Sequence, residues 1–427
     1  MKAKIKLITI IASLSIVCAF AADWPEYYGP KRDGTSTEKG LLRSWPKEGP
    51  KVLWTVPVGI GYGGPAVSGG KVYLLDRDEK VGDNLRCFDL SNGKELWNFA
   101  YNAPESFNHP GSRTTPTVEG SYVYTCGPLG DLYCINTSPH KPVWNKKIWK
   151  DFGGGQLPRW GITQNPLIYG NLLIVAPQTS QASVVAYDKL TGELKWKSPV
   201  LSGAPGYVSP SIVKVGGGDN LVMIMAGTGF GRSASGGSVN GLDPLSGKVL
   251  WTYGNWQCGI PVPHAVDAGE GRVLITGGYS AGAAMIKVAK KADGSYGVTE
   301  LYKNANFGAH TQPPILYKGY FYAQYTINER SDGLVCMSMD GKVMWKTGED
   351  PAFNKGGAIL ADGLLLSTDG NRMLYLIEPD PSGFKPLASA ELLESGENWA
   401  PIALVDGKLL IRDQKNLKCV AVAQQSR

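Results

Sequence analysis

CFDLSNGKELW (Cys87 to Trp97), AYDKLTGELKW (Ala186 to Trp196) and GLDPLSGKVLW (Gly241 to Trp251) are three copies of one pattern. In each, an aspartate stands eight residues before the tryptophan and a glycine four before it. The apolar stretches on either side read as two strands joined by a tight turn. Glycine supplies the left-handed backbone there, and the aspartate accepts N–H groups of its own turn. Strand–turn–strand units recurring about every 40–50 residues are the mark of a β-propeller.

The units are laid out by two signatures. First strands begin near Pro65, Pro116, Pro166, Pro210, Pro263, Pro314 and Pro401, with Gly357-Ala358 replacing the proline once. Proline suits the first residue of a strand, where no ladder donor is lost. Hairpins follow in GGPAVSGGKVYLL (Gly63 to Leu75), PTVEGSYVYT (Pro116 to Thr125) and PIALVDGKLLIR (Pro401 to Arg412). Closing strands end at Trp97, Trp144, Trp196, Trp251, Tyr302 and Trp345, and near Ala388 in a unit without the aromatic. The unit starting at Pro401 runs out of chain after Leu417 to Val422, one strand short. Lys51 to Val56 carries Trp54 but has no hairpin before it, and supplies the missing strand. The expectation is an all-β, eight-bladed propeller of four-stranded antiparallel blades, the last closed by an N-terminal strand, which removes open sheet edges. Seven blades is the alternative, if the degenerate 352–395 unit does not complete a sheet.

Lys2, Lys4 and Lys6 precede an apolar run from Leu7 to Phe20, with Ala19-Phe20-Ala21 as a cleavage pattern. Residues 1–21 therefore read as a secretory signal peptide, 22–50 as an N-terminal extension and 51–427 as the propeller. The expected location is periplasmic or secreted. Val17 stands before Cys18, where lipoprotein processing needs a small residue, so a lipid anchor is not expected. No later segment is long and apolar enough for a transmembrane helix. Charged residues make up only 19% of the chain and no basic run stands out, which argues against nucleic-acid binding. Six cysteines follow the leader. Cys87, Cys134, Cys336 and Cys419 share one position on the third strand of a blade, where a small buried residue is expected. Cys126 and Cys134 flank the turn around Gly127 to Gly130, leaving a disulfide across that hairpin open.

The D…G…W copies resemble the tryptophan-docking repeats of the quinoprotein, or PQQ-like, propeller superfamily, over essentially the whole chain after the leader. DWPEYYGPKRDGTS (Asp23 to Ser36) and WGITQNPLIYGNLLIV (Trp160 to Val175) resemble a secreted branch of it. The resemblance implies either a quinone-dependent alcohol or sugar dehydrogenase or a non-catalytic, BamB-like scaffold. An indole can pack flat on a glycine turn of the neighbouring blade, with its N–H on a backbone acceptor. Six repeated tryptophans cannot serve one active site, so Trp54, Trp97, Trp144, Trp196, Trp251 and Trp345, with Asp89, Asp188 and Asp243, read as architecture.

Function is then sought where the repeats differ, in loops joining the last strand of one blade to the first of the next. These include Asn108–Pro116, Leu157–Pro166, Gly203–Pro210, Cys258–Ala265, Asn306–Pro314 and Gly396–Pro401. They open on one face around the central channel. The candidates for ligand or partner binding there are His109, Arg113, Arg159, Trp160, Tyr207, His264, His310, Lys355 and Trp399. Two readings stay open: these side chains fill the channel and tie loops together, or they bind a partner protein or a small anionic or sugar-like ligand. The histidines lie on blades that are not all adjacent and lack metal-ligand spacing, so no metal site is expected. Gly227 to Gly237 is glycine-rich but lies in a hairpin and is no phosphate loop. Enzymes that the fold resembles use a carboxylate base, acidic or amide calcium ligands and often a disulfide of adjacent cysteines. This sequence has no adjacent cysteine pair, and Glu394 and Glu397 are the main acidic residues of the channel loops. The leading expectation is a monomeric, non-catalytic binding scaffold without cofactor. The alternative is a pyrroloquinoline-quinone dehydrogenase with calcium.

Overall fold

The computed structural model of the protein describes residues 23–229, 233–327 and 330–424. The leader reading (1–21), Cys18 and the middle of the Gly227–Gly237 loop lie outside the described residues. Eight antiparallel four-stranded blades form the ring. In chain order they span Ala66–Asn102 (blade 1), Thr117–Lys147, Leu167–Lys197, Ser211–Tyr253, Val266–Asn304, Ile315–Lys346 and Ala358–Glu391 (blade 7). Blade 8 combines Ala403–Ala421 with the N-terminal strand Val52–Pro57, which pairs antiparallel to Asn416–Ala421 with Trp54 opposite Cys419. The degenerate unit forms a full sheet, so the seven-blade alternative falls. Thr35–Ser36 even adds a fifth, parallel strand beside Leu360–Ala361.

A register shift recurs between the third and fourth strands of all eight blades, at Cys87/Phe88 in blade 1 and at the matching place in the others. This bulge turns the closing aromatic toward the next blade. Trp54 lies over Gly93 and donates Nε1–H to the Leu90 carbonyl at 2.9 Å. Trp144 lies over Gly192 and donates to Lys189 O at 3.1 Å, and Trp345 donates to Asp380 O at 2.8 Å. Trp196 covers Gly247 and Tyr302 covers Gly341. A Cβ on Gly93 would stand 2.8 Å from the indole, so both the close stacking and the positive φ of 76° require glycine there. The repeat aspartates cap the turns as expected: Asp89 accepts Ser91 N–H at 2.7 Å and Asp188 accepts Thr191 N–H at 2.9 Å. The Ser91 hydroxyl together with that N–H holds the Asp89 carboxyl below the usual range, and the Thr191 N–H does the same for Asp188.

Two tryptophans depart from the rule. Trp97 meets His140 in the glycine position, at φ 54, and stacks on its ring at 4.8 Å and 18°. Trp251 folds onto its own blade, donating to Asn220 Oδ1 at 2.8 Å. Its cross-strand partner is Gly241, where a Cβ would lie 2.0 Å from the indole. In blade 5 the third and fourth strands stay paired up to Lys290–Tyr296, and the turn glycine beyond them, Gly294, has no ring packed on it.

The recurrent cysteines face the docking rings: Cys87 is paired with Trp97, Cys134 with Trp144, Cys336 with Trp345 and Cys419 with Trp54. All six described cysteines are buried and free. The hairpin register sets Cys126 opposite Leu132 and Cys134 opposite Tyr124, two steps apart, so no disulfide joins them. Burial pushes the Cys87, Cys134 and Cys419 thiols up to about 12. We predict that native protein resists thiol labelling at neutral pH and that reductant leaves its unfolding midpoint unchanged. A reductant-dependent midpoint would contradict the free-thiol assignment.

Around the axis, hydrogen bonds pass from blade to blade. Thr115 Oγ1 accepts Gly64 N–H at 3.2 Å, Asn165 Oδ1 accepts Thr115 N–H at 2.6 Å, and Ser209 Oγ accepts Asn165 N–H at 2.9 Å. Residues 23–36 cross one end of the channel as a strap. Trp24 exchanges backbone bonds with Val67, and Val118 donates to Pro25 O. Tyr28 Oη donates to Pro313 O at 2.9 Å, and Arg32 donates to Pro166 O at 3.1 Å.

Candidate functional site

Beyond the strap the channel opens into a cavity of about 370 Å³. Its lining follows the ring in chain order. Tyr62 precedes blade 1, His109 and Arg113 precede blade 2, Trp160 precedes blade 3 and Tyr207 precedes blade 4. Tyr279 comes from a blade 5 hairpin, His310 precedes blade 6, Lys355 precedes blade 7, and Glu397 and Trp399 precede blade 8. Tyr27 of the strap also contributes.

On one side the rings form a chain. Trp399 stacks on Tyr62 with centroids 4.9 Å apart, and His109 lies 5.3 Å from Trp399. The Lys355 ammonium lies 4.3 Å from the Trp399 ring centre. Tyr62 Oη donates to Glu397 Oε2 at 3.1 Å, and His109 Nδ1 stands 3.8 Å from the same oxygen. On the other side, Trp160 and Tyr207 tilt against each other at 5.1 Å.

Seven of the nine sequence candidates line the cavity: His109, Arg113, Trp160, Tyr207, His310, Lys355 and Trp399. Arg113 has its donors committed, Nε to Trp160 O at 2.6 Å, Nη1 to Gly111 O at 2.6 Å and Nη2 to His109 O. It therefore ties two loops together, and burial lowers its pKa to about 10. His310 is only 5% exposed, bonds Thr326 Oγ1 through Nδ1 and packs edge-on against Tyr279 at 4.3 Å. Burial, reinforced by the Lys355 charge, lowers it to about 3, so it is neutral near pH 7.

The other two candidates lie elsewhere. Arg159 is exposed and stands over the outer part of Trp160 at 5.5 Å. His264 is buried beneath the cavity against Tyr27 and Tyr28, with Nε2 on the Arg32 carbonyl at 3.0 Å. It anchors the strap. Burial depresses it to about 3, so the ring is neutral and Nε2 donates. Tyr62, Tyr279 and Asn371 were missed by sequence reasoning. Tyr62 was findable, because it stands just before Pro65 as the other candidates stand before their prolines. Tyr279 and Asn371 sit in hairpins between second and third strands, which open on the same face by strand parity.

A family model described as outer membrane protein assembly factor BamB matches residues 81–347. The chain belongs to this family, PQQ_2. Among other relatives of this PQQ_2 chain, the quinoprotein alcohol dehydrogenase PedH of Pseudomonas putida (strain KT2440) is 25% identical over 174 residues, 39% of this chain and 27% of PedH. The chain thus spans about a quarter of that relative's length. Among solved structures, the quinohemoprotein alcohol dehydrogenase from Comamonas testosteroni matches with TM-score 0.67 at 13% identity, covering 95% of this chain and 81% of that one. BamB from Moraxella catarrhalis matches with TM-score 0.56 at 10% identity, covering 87% and 99%. These likenesses establish the propeller.

One relative is thus a quinoprotein alcohol dehydrogenase, and binding of a quinone with calcium would set demands on the cavity's oxygen donors. Calcium takes six to eight oxygen ligands, several of them carboxylates. Glu397 is the one carboxylate among the described lining residues, it is 56% exposed, and Tyr62 already occupies its Oε2. No group of three or more potential metal-ligating side chains gathers among the described residues. The aromatic walls suit a flat ring, but the oxygen donors do not fit a calcium–quinone pair.

Proposed function

We propose that this chain is a monomeric, non-catalytic PQQ_2 propeller, periplasmic or secreted, that binds a ligand or partner at its channel mouth. An envelope-assembly role of the BamB kind is one form of this reading, supported by the family match. The carrying observation is the cavity's make-up: aromatic side chains from most interblade loops, a Lys355 ammonium on the Trp399 ring with no carboxylate partner among the described residues, and one carboxylate among the described lining residues, already engaged. Such a set binds, but among the described lining residues it offers no buried carboxylate to take a proton, and the buried neutral imidazole of His310 is engaged by Thr326 Oγ1 through Nδ1. The leader-like N-terminus supports the location, and no helix among the described residues is long and apolar enough to cross a membrane.

Adding pyrroloquinoline quinone and calcium to purified protein should give neither an absorbance change nor a thermal shift. Binding together with dye-coupled alcohol oxidation would overturn the non-catalytic reading. In a pull-down from envelope extract, Trp160→Ala and Tyr207→Ala should lose a partner that wild type retains. An unchanged partner set would remove the channel face from the binding role for proteins. Arg113→Ala should lose it too, through collapse of the two loops that Arg113 joins.

A further inference from the structure

The cavity is two-sided. Trp160 and Tyr207 flank blade 3, and across the eight-bladed ring stands the entry to blade 7. There Asn354, Lys355 and Asn371 come together, with Asn354 N–H on the Asp369 carbonyl beside them at 2.7 Å. Most other polar lining side chains are already committed. Asn165 serves Thr115 and Ser209, Thr163 donates to Tyr207 O, and Gln312 donates Nε2 to Trp399 O at 3.0 Å, leaving its Oε1 without a partner among the described residues. The blade 7 trio is not. Asn354 Oδ1 has no partner among the described residues. Asn371 uses only backbone groups, its N–H on Asp369 and its carbonyl for Asn398. The Lys355 ammonium touches the Trp399 ring and pairs with no carboxylate among the described residues.

An occupant must therefore present an apolar face to indole and phenol rings, hydroxyls that both donate and accept for two amides, and a negative charge for the ammonium. An unsubstituted aromatic carboxylate such as benzoate meets the first and last demands but has no hydroxyls for the amides. A neutral sugar lacks the charge. The geometry points to an anionic pyranose, a uronic acid or a sulfated sugar, as the ligand of this cavity. This rests on the channel-mouth binding reading above and names its ligand class. A pyranose ring carries C–H groups on its faces and hydroxyls on its edge, and a volume of about 370 Å³ holds one such ring.

Titration calorimetry on the full chain tests this with D-glucuronate, D-glucose 6-sulfate, D-glucose and benzoate. Both acidic sugars should bind about tenfold or more tighter than glucose, the usual worth of a charge-assisted bond. Lys355→Met should abolish that preference, Asn371→Leu should weaken all three sugars, and Trp160→Ala should do the same. An unchanged melting temperature checks that each variant is folded. Glucose binding as tightly as glucuronate, or a preference that survives Lys355→Met, overturns the inference. Benzoate matching glucuronate also overturns it while leaving the binding site standing as an anion site. If no sugar binds, the sugar assignment fails, and the pull-down above decides separately whether the channel-face reading fails with it.

Discussion

Trp54→Ala should destabilise the protein by about 3–5 kcal/mol, the usual cost of deleting a buried tryptophan side chain. The indole is 8% exposed, lies on Gly93 and donates to Leu90 O across the joint between blade 8 and blade 1. That joint is where the two ends of the chain close the ring, so the loss does not stay local. Once the strand Val52–Pro57 loosens, the edge of Asn416–Ala421 is open to pair with another chain. Chemical denaturation should show the lowered midpoint, and light scattering near it should show association that wild type lacks. Trp97→Ala is the internal comparison. Its ring stacks on an exposed His140 and its Nε1 has no partner among the described residues, so its loss should cost distinctly less. Equal effects at the two sites would mean that ring closure adds nothing to ordinary docking.

The contrast between these tryptophans shows what was legible in the sequence. Blade number and closure could be read because docking needs a bulky ring and a glycine turn at fixed spacing, and both are visible as letters. The shared position of Cys87, Cys134, Cys336 and Cys419 was visible for the same reason: a small side chain, Cys, Ala or Gly, stands opposite each docking tryptophan. Trp251 was not, because its outcome depends on the next blade's turn and on Gly241 opening space in its own sheet. At the site, charge and aromaticity in the interblade loops found most of the wall. They could not separate a cation saturated by carbonyls, Arg113, from one that only an aromatic ring meets among the described residues, Lys355, since the difference lies in which backbone carbonyls come near. The placement of His264 under the strap was hidden likewise. The strap is held by carbonyls of distant blades, at Pro166 and Pro313, and a carbonyl leaves no mark on residue type.

The strap carries the second large effect. Arg32→Met should cost about 3–5 kcal/mol at pH 7, because it removes one partner of a buried pair and leaves the other uncompensated. Arg32 and Glu26 are 8% and 16% exposed and 2.5 Å apart, and Arg32 also holds Pro166 O. Burial already raises the Glu26 carboxyl above its ordinary 4.5, with the Arg32 charge pulling the other way. Without that charge it rises further. A carboxyl with a raised folded-state pKa contributes stability that is fully present below its unfolded value and is lost as pH climbs through the folded one. The deficit of Arg32→Met relative to wild type should therefore be largest at neutral pH and shrink as the pH falls toward 4.5. Adding Glu26→Gln to Arg32→Met should recover much of the loss at pH 7 and flatten its pH dependence. Denaturant midpoints for the wild type, both single variants and the double variant, taken across that range, decide it. A pH-independent deficit would mean that Arg32 acts through the carbonyls of blade 3 rather than through Glu26, and that the strap is held by its neutral bonds alone.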